Sequence, residues 1–137
     1  SEIARESVRS QSNVNVVNRL FDDALDIEIA ALGQTVDVAY IDGHHEKVAT
    51  IHYFNRLLKS LTKGSVVLFD DISWSQDMRD GWDLLSKRIE FAHAIDLGAI
   101  GVCVMKTNEQ ADAIPRYWDL QPLVGRHPIA KPHGWDK

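Results

Sequence analysis

Apolar positions along the chain alternate between two rhythms, and the alternation predicts its elements. Residues 2–10 follow a helical pattern with Ile3, Ala4, Ser7 and Val8 on one side. No capping residue precedes them, so the sequence is expected to begin inside an element. Residues 14–17 form a short β-branched run that predicts a strand. Phe21–Leu32 then places Leu25, Ile29 and Leu32 at helical spacing before Gly33. Val36–Ile41 reads VDVAYI, a run suited to a strand buried on both faces of a parallel sheet. Residues 46–61 return to the helical period through Val48, Ile51, Phe54, Leu57, Leu58 and Leu61, and Lys63-Gly64 closes that stretch. A second buried strand is predicted at 65–69, a third helix at 76–89, and two strands at 92–97 and 100–105.

The link Gly98-Ala99 between the last two strands is too short for a parallel crossover, so they are expected to be antiparallel neighbours. Strand and helix alternating ahead of such a pair predicts an α/β sheet that is mostly parallel, with right-handed crossovers. Beyond Lys106 the four prolines, Pro115, Pro122, Pro128 and Pro132, predict an irregular surface tail over 107–137, anchored by Tyr117 and Trp118. The folded part is expected over 1–106. Neither repeats nor low-complexity blocks occur.

Both buried strands end in acid. Tyr40-Ile41-Asp42-Gly43-His44-His45 closes the first, and Phe69-Asp70-Asp71-Ile72-Ser73-Trp74 closes the second. In α/β sheets ligands sit beyond the carboxyl ends of the strands. Adjacent parallel strands would bring the three carboxylates to one edge, where they repel unless something positive lies among them. A divalent cation such as Mg²⁺, held by Asp42, Asp70 and Asp71, is one answer. The alternative is that Asp71 caps the next helix and Asp42 accepts backbone hydrogen bonds in its turn. A metal would acidify a coordinated hydroxyl, and His45, three residues past Asp42, could take the proton. His44 is expected to point elsewhere. Either histidine could instead be a solvated turn residue. Trp74 could wall a pocket or pack the sheet edge, and Trp82 reads as core.

With 45% hydrophobic and 26% charged residues the composition is that of a globular protein. The formal charge of −5 argues against a partner with a phosphate backbone or an anionic membrane, and favours a small neutral or cationic one. The single cysteine, Cys103, is expected in a strand core. Without a bilayer-length apolar run or a signal-peptide core, the expected location is cytoplasmic.

The segments DVAYIDGHHEKVATIHYF and KGSVVLFDDISWSQDMRDGWDLL resemble the later half of class I S-adenosylmethionine-dependent methyltransferases, in particular the metal-dependent small-molecule O-methyltransferases. The resemblance spans about residues 13–106. It implies a Rossmann-like methyltransferase half-sheet with helices on both faces, ligation of Mg²⁺ or a similar cation by Asp42, Asp70 and Asp71, and a base at His45. The implied cofactor is S-adenosylmethionine, approached by Leu20, Phe21 and Tyr40, and the implied substrate is a small-molecule hydroxyl. The family's glycine-rich loop and ribose-gripping acid have no counterpart here. The isolated chain is therefore expected to be an inactive fragment of an O-methyltransferase, unless a second copy pairs along an open sheet edge. Two other readings compete. One is a non-catalytic binding or dimerising module. The other is a magnesium-dependent phosphoryl-transfer domain, disfavoured because Leu97-Gly98 and Met105-Lys106 stand where such domains carry a lysine and a hydroxyl.

Overall fold

A computed structural model describes residues 2–33 and 35–125, and the chain divides into two units, one up to Gly33 and one from Gln34 onward. The expected tail from residue 126 on lies outside the described residues.

The N-terminal unit holds α1 (Glu2–Ser7) and α2 (Phe21–Leu32). Gly33 ends α2 in the left-handed region, at φ 61°, and its N–H donates to the Ala30 carbonyl. The strand expected over 14–17 is not formed. Those residues are irregular, and Val14 is exposed. A four-residue run needs a neighbouring strand to satisfy its backbone, and this unit contains none among its described residues. Polar contacts hold the stretch instead: Arg5 donates to the Val16 carbonyl, Asn15 donates to Glu28, and Arg19 lies 3.9 Å from Glu28.

The second unit carries a five-stranded sheet of β1 (Val36–Ile41), β2 (Leu61–Phe69), β3 (Phe91–Asp96), β4 (Gly101–Met105) and β5 (Arg116–Asp119) in the order β1-β2-β4-β3-β5. Pairing is parallel for β1 with β2 and for β3 with β5, and antiparallel on both sides of β4. Four of the five strands therefore share one direction, as a Rossmann-like α/β fold requires, and β3 and β4 form the expected hairpin. Among its described residues this unit has two helices of more than two turns, α3 (Lys47–Leu57) and α4 (Gln76–Leu85). Each joins strands while stepping the same way across the sheet. Right-handed crossovers that step the same way place their helices on one face. Ring contacts bear this out, with Phe54 of α3 at 5.8 Å from Phe69 and 5.1 Å from Phe91, and Trp82 of α4 at 6.2 Å from Phe69.

That face is the core. Phe54, Val67, Phe69, Phe91, Ala94 and Cys103 are wholly excluded from solvent. Each buried aromatic contributes roughly 1.5–3 kcal/mol by leaving water, and each ring pair about 0.5–1.5 kcal/mol more. Burial also pushes the Cys103 thiol well up, so it serves as packing rather than chemistry. Gly101 lets α4 come this close, because a Cβ there would stand 2.7 Å from two Trp82 ring carbons. On the opposite face Val38 and Tyr40 are more than half exposed, and Val66, Leu68, Val102, Val104 and Ile95 are half-buried beside them.

Two sequence expectations shift. β2 starts at Leu61 rather than 65, because α3 ends at Leu57 and the chain rejoins β1 through a bulge with Gly64 at φ 80°. Ser65 secures it, its hydroxyl accepting from the Thr62 N–H and donating to the Val36 carbonyl at 2.8 Å each. The span beyond Lys106 is not all irregular, since it supplies β5 and the short α5 (Gln121–Val124).

Candidate functional site

The parallel register pairs Ile41 with Phe69, and the Asp70 N–H donates to the Ile41 carbonyl at 3.0 Å, so the acids that end β1 and β2 emerge side by side. Two backbone kinks aim the side chains just beyond these strands. His44 has φ 64° and Asp71 has φ 53°, both in the left-handed region that non-glycine residues rarely occupy. Non-glycine residues in that region concentrate where a particular side-chain direction is needed.

The kink at His44 sends its ring toward α3, where Nδ1 lies 3.2 Å from the Tyr53 hydroxyl. The next residue, His45, falls between two acids. Its Nδ1 is 3.5 Å from Asp71 Oδ2 and its Nε2 is 3.9 Å from Asp42 Oδ1. Trp74 covers one side of it, with ring centroids 5.8 Å apart. All three polar side chains keep a third to a half of their surface in solvent, so an incoming molecule can reach them. The third acid is engaged differently. Tyr40 donates its hydroxyl hydrogen bond to Asp70, and this bond, with the charges of Asp70, Asp42 and Asp71, pushes the phenol up to about 12.

α3 begins at Lys47 without a side-chain cap of its own, and Asp77 of α4 supplies one. The Lys47 N–H donates to Asp77 at 2.7 Å while the Lys47 ammonium stands 3.3 Å from the same carboxylate. This cross-helix cap anchors the chain two residues after His45. Sequence reasoning missed it, because helix-capping rules look for a partner within the same helix.

The carboxylates are thus divided: Asp42 and Asp71 face an imidazole, and Asp70 faces a phenol. Among the described residues no group of three or more His, Cys, Asp and Glu converges to hold a metal ion. As arranged, Asp42, Asp70 and Asp71 do not fit a divalent cation. A cleft of about 420 Å³ lies between the end of α4 and the approach to β5, but it is lined by Asp83, Ser86, Lys87, Ile114, Pro115 and Tyr117, none of them at the acidic edge. The open ledge around His45 gathers several ionisable groups, and charge rather than concavity makes it the candidate site. Leu20 and Phe21, expected near the cofactor, belong to the N-terminal unit, where Leu20 is the N-cap residue of α2 and Phe21 its first residue.

The family described as methyltransferase domain matches residues 1–72, just over half of the chain. The chain belongs to that family. The matched span of the methyltransferase domain takes in β1, α3 and β2, and with them Asp42, His45, Asp70 and Asp71. An uncharacterized protein of Acanthamoeba polyphaga mimivirus, R132, is 27% identical over 115 residues, which are 80% of this chain and 52% of that protein. The methyltransferase-domain chain therefore spans about half the length of this relative. No solved structure matches it. Among the described residues, no helix is long and apolar enough to cross a membrane.

Proposed function

We propose that the protein is part of an S-adenosylmethionine-dependent methyltransferase that methylates a small-molecule hydroxyl, with His45 as the general base. The observation that carries this reading is His45 set between Asp42 and Asp71 at the carboxyl edge of a methyltransferase-domain sheet. S-adenosylmethionine supplies a sulfonium-bound methyl group, a cation that suits an edge bearing three carboxylates and the aromatic rings of Tyr40 and Trp74.

The protein's own part is set by charge. A hydroxyl approaching the ledge gives its proton to the imidazole, and the imidazolium so formed stands between two carboxylates that stabilise its charge. Trp74 shields one side of the ring from water. Asp70 holds the Tyr40 phenol protonated and directed, leaving it a hydrogen-bond donor rather than a second base. Proton removal is assigned to His45, and no step runs through a metal. The carboxyl edge at β1 is the proposed place for the cofactor, since ligands of open α/β sheets bind beyond the carboxyl ends of the strands. Tyr40 is its proposed contact in this unit.

Calorimetric titration with S-adenosylmethionine, with and without Mg²⁺, followed by transfer of labelled methyl to a panel of small hydroxyl compounds, tests the reading. Cofactor binding and label in an ether product are expected where a second copy, or the rest of the protein of which this chain is part, supplies the glycine-rich loop that has no counterpart here. Transfer to nitrogen or carbon alone would refute the hydroxyl assignment, and a strict requirement for Mg²⁺ would refute His45 acting without a metal.

A second reading has one observation in its favour. β1 is an edge strand with Val38 and Tyr40 exposed, a surface on which a second copy could pair in a dimerising, non-catalytic module. Sedimentation equilibrium distinguishes the two: a tight dimer without cofactor affinity favours the module.

A further inference from the structure

The carboxyl edge of the sheet carries a fourth aspartate, and it is the opposite of the other three. Asp96 ends β3 with no exposed surface. Its Oδ2 accepts from Arg79 at 2.8 Å, Tyr117 at 2.9 Å and the Trp82 indole at 3.1 Å, and its Oδ1 accepts from the Gly98 N–H at 2.8 Å. Arg79 has a second hand. While one guanidinium nitrogen holds Asp96, the other donates to the Ser73 hydroxyl at 3.2 Å, and that hydroxyl donates onward to the Gly98 carbonyl at 2.6 Å. Ser73 is buried and sits two residues after Asp71. Beside it, the Ile72 N–H donates to the Ala99 carbonyl at 2.9 Å. The loop that carries Asp71 and Trp74 toward His45 is therefore strapped to the β3–β4 turn, and that turn takes its shape from Asp96.

We infer that Arg79 and Ser73 are positioning residues, a strap from the buried Asp96 that sets Asp71 and Trp74 against His45; the inference rests on His45 being the working base. Arginine alone among the cations suits the task, because a planar fork can serve a carboxylate and a hydroxyl at once, whereas an ammonium is a point charge on a flexible stem. Arg79→Lys keeps Asp96 neutralised and releases Ser73. Ser73→Ala removes the strap from its other end, Ser73→Thr restores the hydroxyl, and Tyr117→Phe removes a donor to Asp96 without touching the loop.

The experiment is NMR of these four variants, reading the ring signals of His45, which the Trp74 indole at 5.8 Å shifts by its ring current, and amide exchange at Ile72 and Trp74. In Arg79→Lys and Ser73→Ala the His45 signals are expected to move and the two amides to exchange roughly three- to tenfold faster, the loss of about one buried hydrogen bond. Ser73→Thr and Tyr117→Phe are expected to resemble the parent. Unmoved His45 signals in both strap variants overturn the inference, and so does an equal response in Tyr117→Phe, which would make the network general core support. If Ser73→Ala does not fold, Arg79→Lys decides alone. Methyl transfer is measured separately: its absence beside an intact loop response sinks the enzymatic reading and leaves the strap standing.

Discussion

Two regions of one sheet edge treat the same side chain in contrary ways. At the end of β3, Asp96 is shut away from water and satisfied by four donors, one of them a guanidinium. At the ends of β1 and β2, Asp42, Asp70 and Asp71 stand together beside an imidazole and a phenol. Left unbonded, a buried carboxylate is among the most costly groups a fold can contain, so the first arrangement has one task, cohesion. Neighbouring half-exposed carboxylates repel, and a fold gains nothing by gathering them unless a cationic or proton-bearing partner comes between. The contrast separates the residues that hold the edge from those that can act on it.

The strongest way to break the contrast is to remove Asp96. Asp96→Ala leaves the Arg79 charge and the Trp82 and Tyr117 donors without their acceptor, and is expected to cost about 3–5 kcal/mol in urea unfolding. Acid probes the same group. Burial alone would raise the Asp96 carboxyl, but the bonds from Arg79, Gly98 and Tyr117 and the Arg79 charge outweigh it and hold the carboxyl below the ordinary carboxylate range. A depressed folded value means the stabilisation is complete above about pH 4, the ordinary carboxylate value, and is lost as the pH falls through the lower folded one. Asp96→Asn should flatten the decline of stability in that acid window. An equally steep decline would place the acid-sensitive group elsewhere.

His45→Asn, on the other side of the contrast, is expected to leave unfolding unchanged within about 0.5 kcal/mol, as befits a surface residue outside the core. Methyl transfer should fall by roughly 10²- to 10⁴-fold with S-adenosylmethionine affinity retained. A variant that loses stability and keeps its rate would reverse the assignment of the two regions.

Packing behind the edge gives a smaller effect. Gly101→Ala would drive a methyl into the Trp82 indole, the ring that also donates to Asp96, and is expected to cost about 1–3 kcal/mol by overpacking. Unfolding midpoints of Gly101→Ala alone and with Trp82→Phe would show whether the collision is the cause, since the smaller ring should recover part of the loss.

Much of this architecture was legible from residue order. Phe21–Leu32 and Val36–Ile41 have the bounds that their periodicity predicts, and the short Gly98-Ala99 link does turn β3 back along β4. The side-by-side emergence of Asp42 and Asp70 comes from two parallel strands joined by one helix, which sequence spacing can express. The features that escaped were non-local. Residues 14–17 have the composition of a strand but no partner strand among the described residues of their unit, and β propensity without a partner does not make a sheet. β5 escaped for the converse reason, because RYWD after a proline reads as loop until β3 offers its edge. Asp96 carries no local signal of its role. Its donors come from 14 to 21 residues away along the chain in three of four cases, and no local rule connects them. The division of the acids between His45 and Tyr40, which leaves no cation site among the described residues, depends on the left-handed turns at His44 and Asp71, and neither residue type announces them.

Tyr40 sharpens the contrast at its finest point, because it reports the acidic edge without belonging to the core. Its hydrogen bond to Asp70 comes first among the influences that raise it, ahead of partial burial and the three nearby charges, and together they push the phenol up to about 12. A raised folded value means that whatever stability the contact contributes is present below the ordinary phenol value near 10 and is lost as the pH climbs through the folded one. Absorbance titration of phenolate should therefore show Tyr40 ionising late, identified as the step absent from Tyr40→Phe. Asp70→Asn keeps an acceptor for the hydroxyl but removes one negative charge, and should bring that step back toward the ordinary value of about 10 without reaching it. If Asp70→Asn leaves the step where it was, Asp70 does not hold the phenol, and the third carboxylate is free to join Asp42 and Asp71.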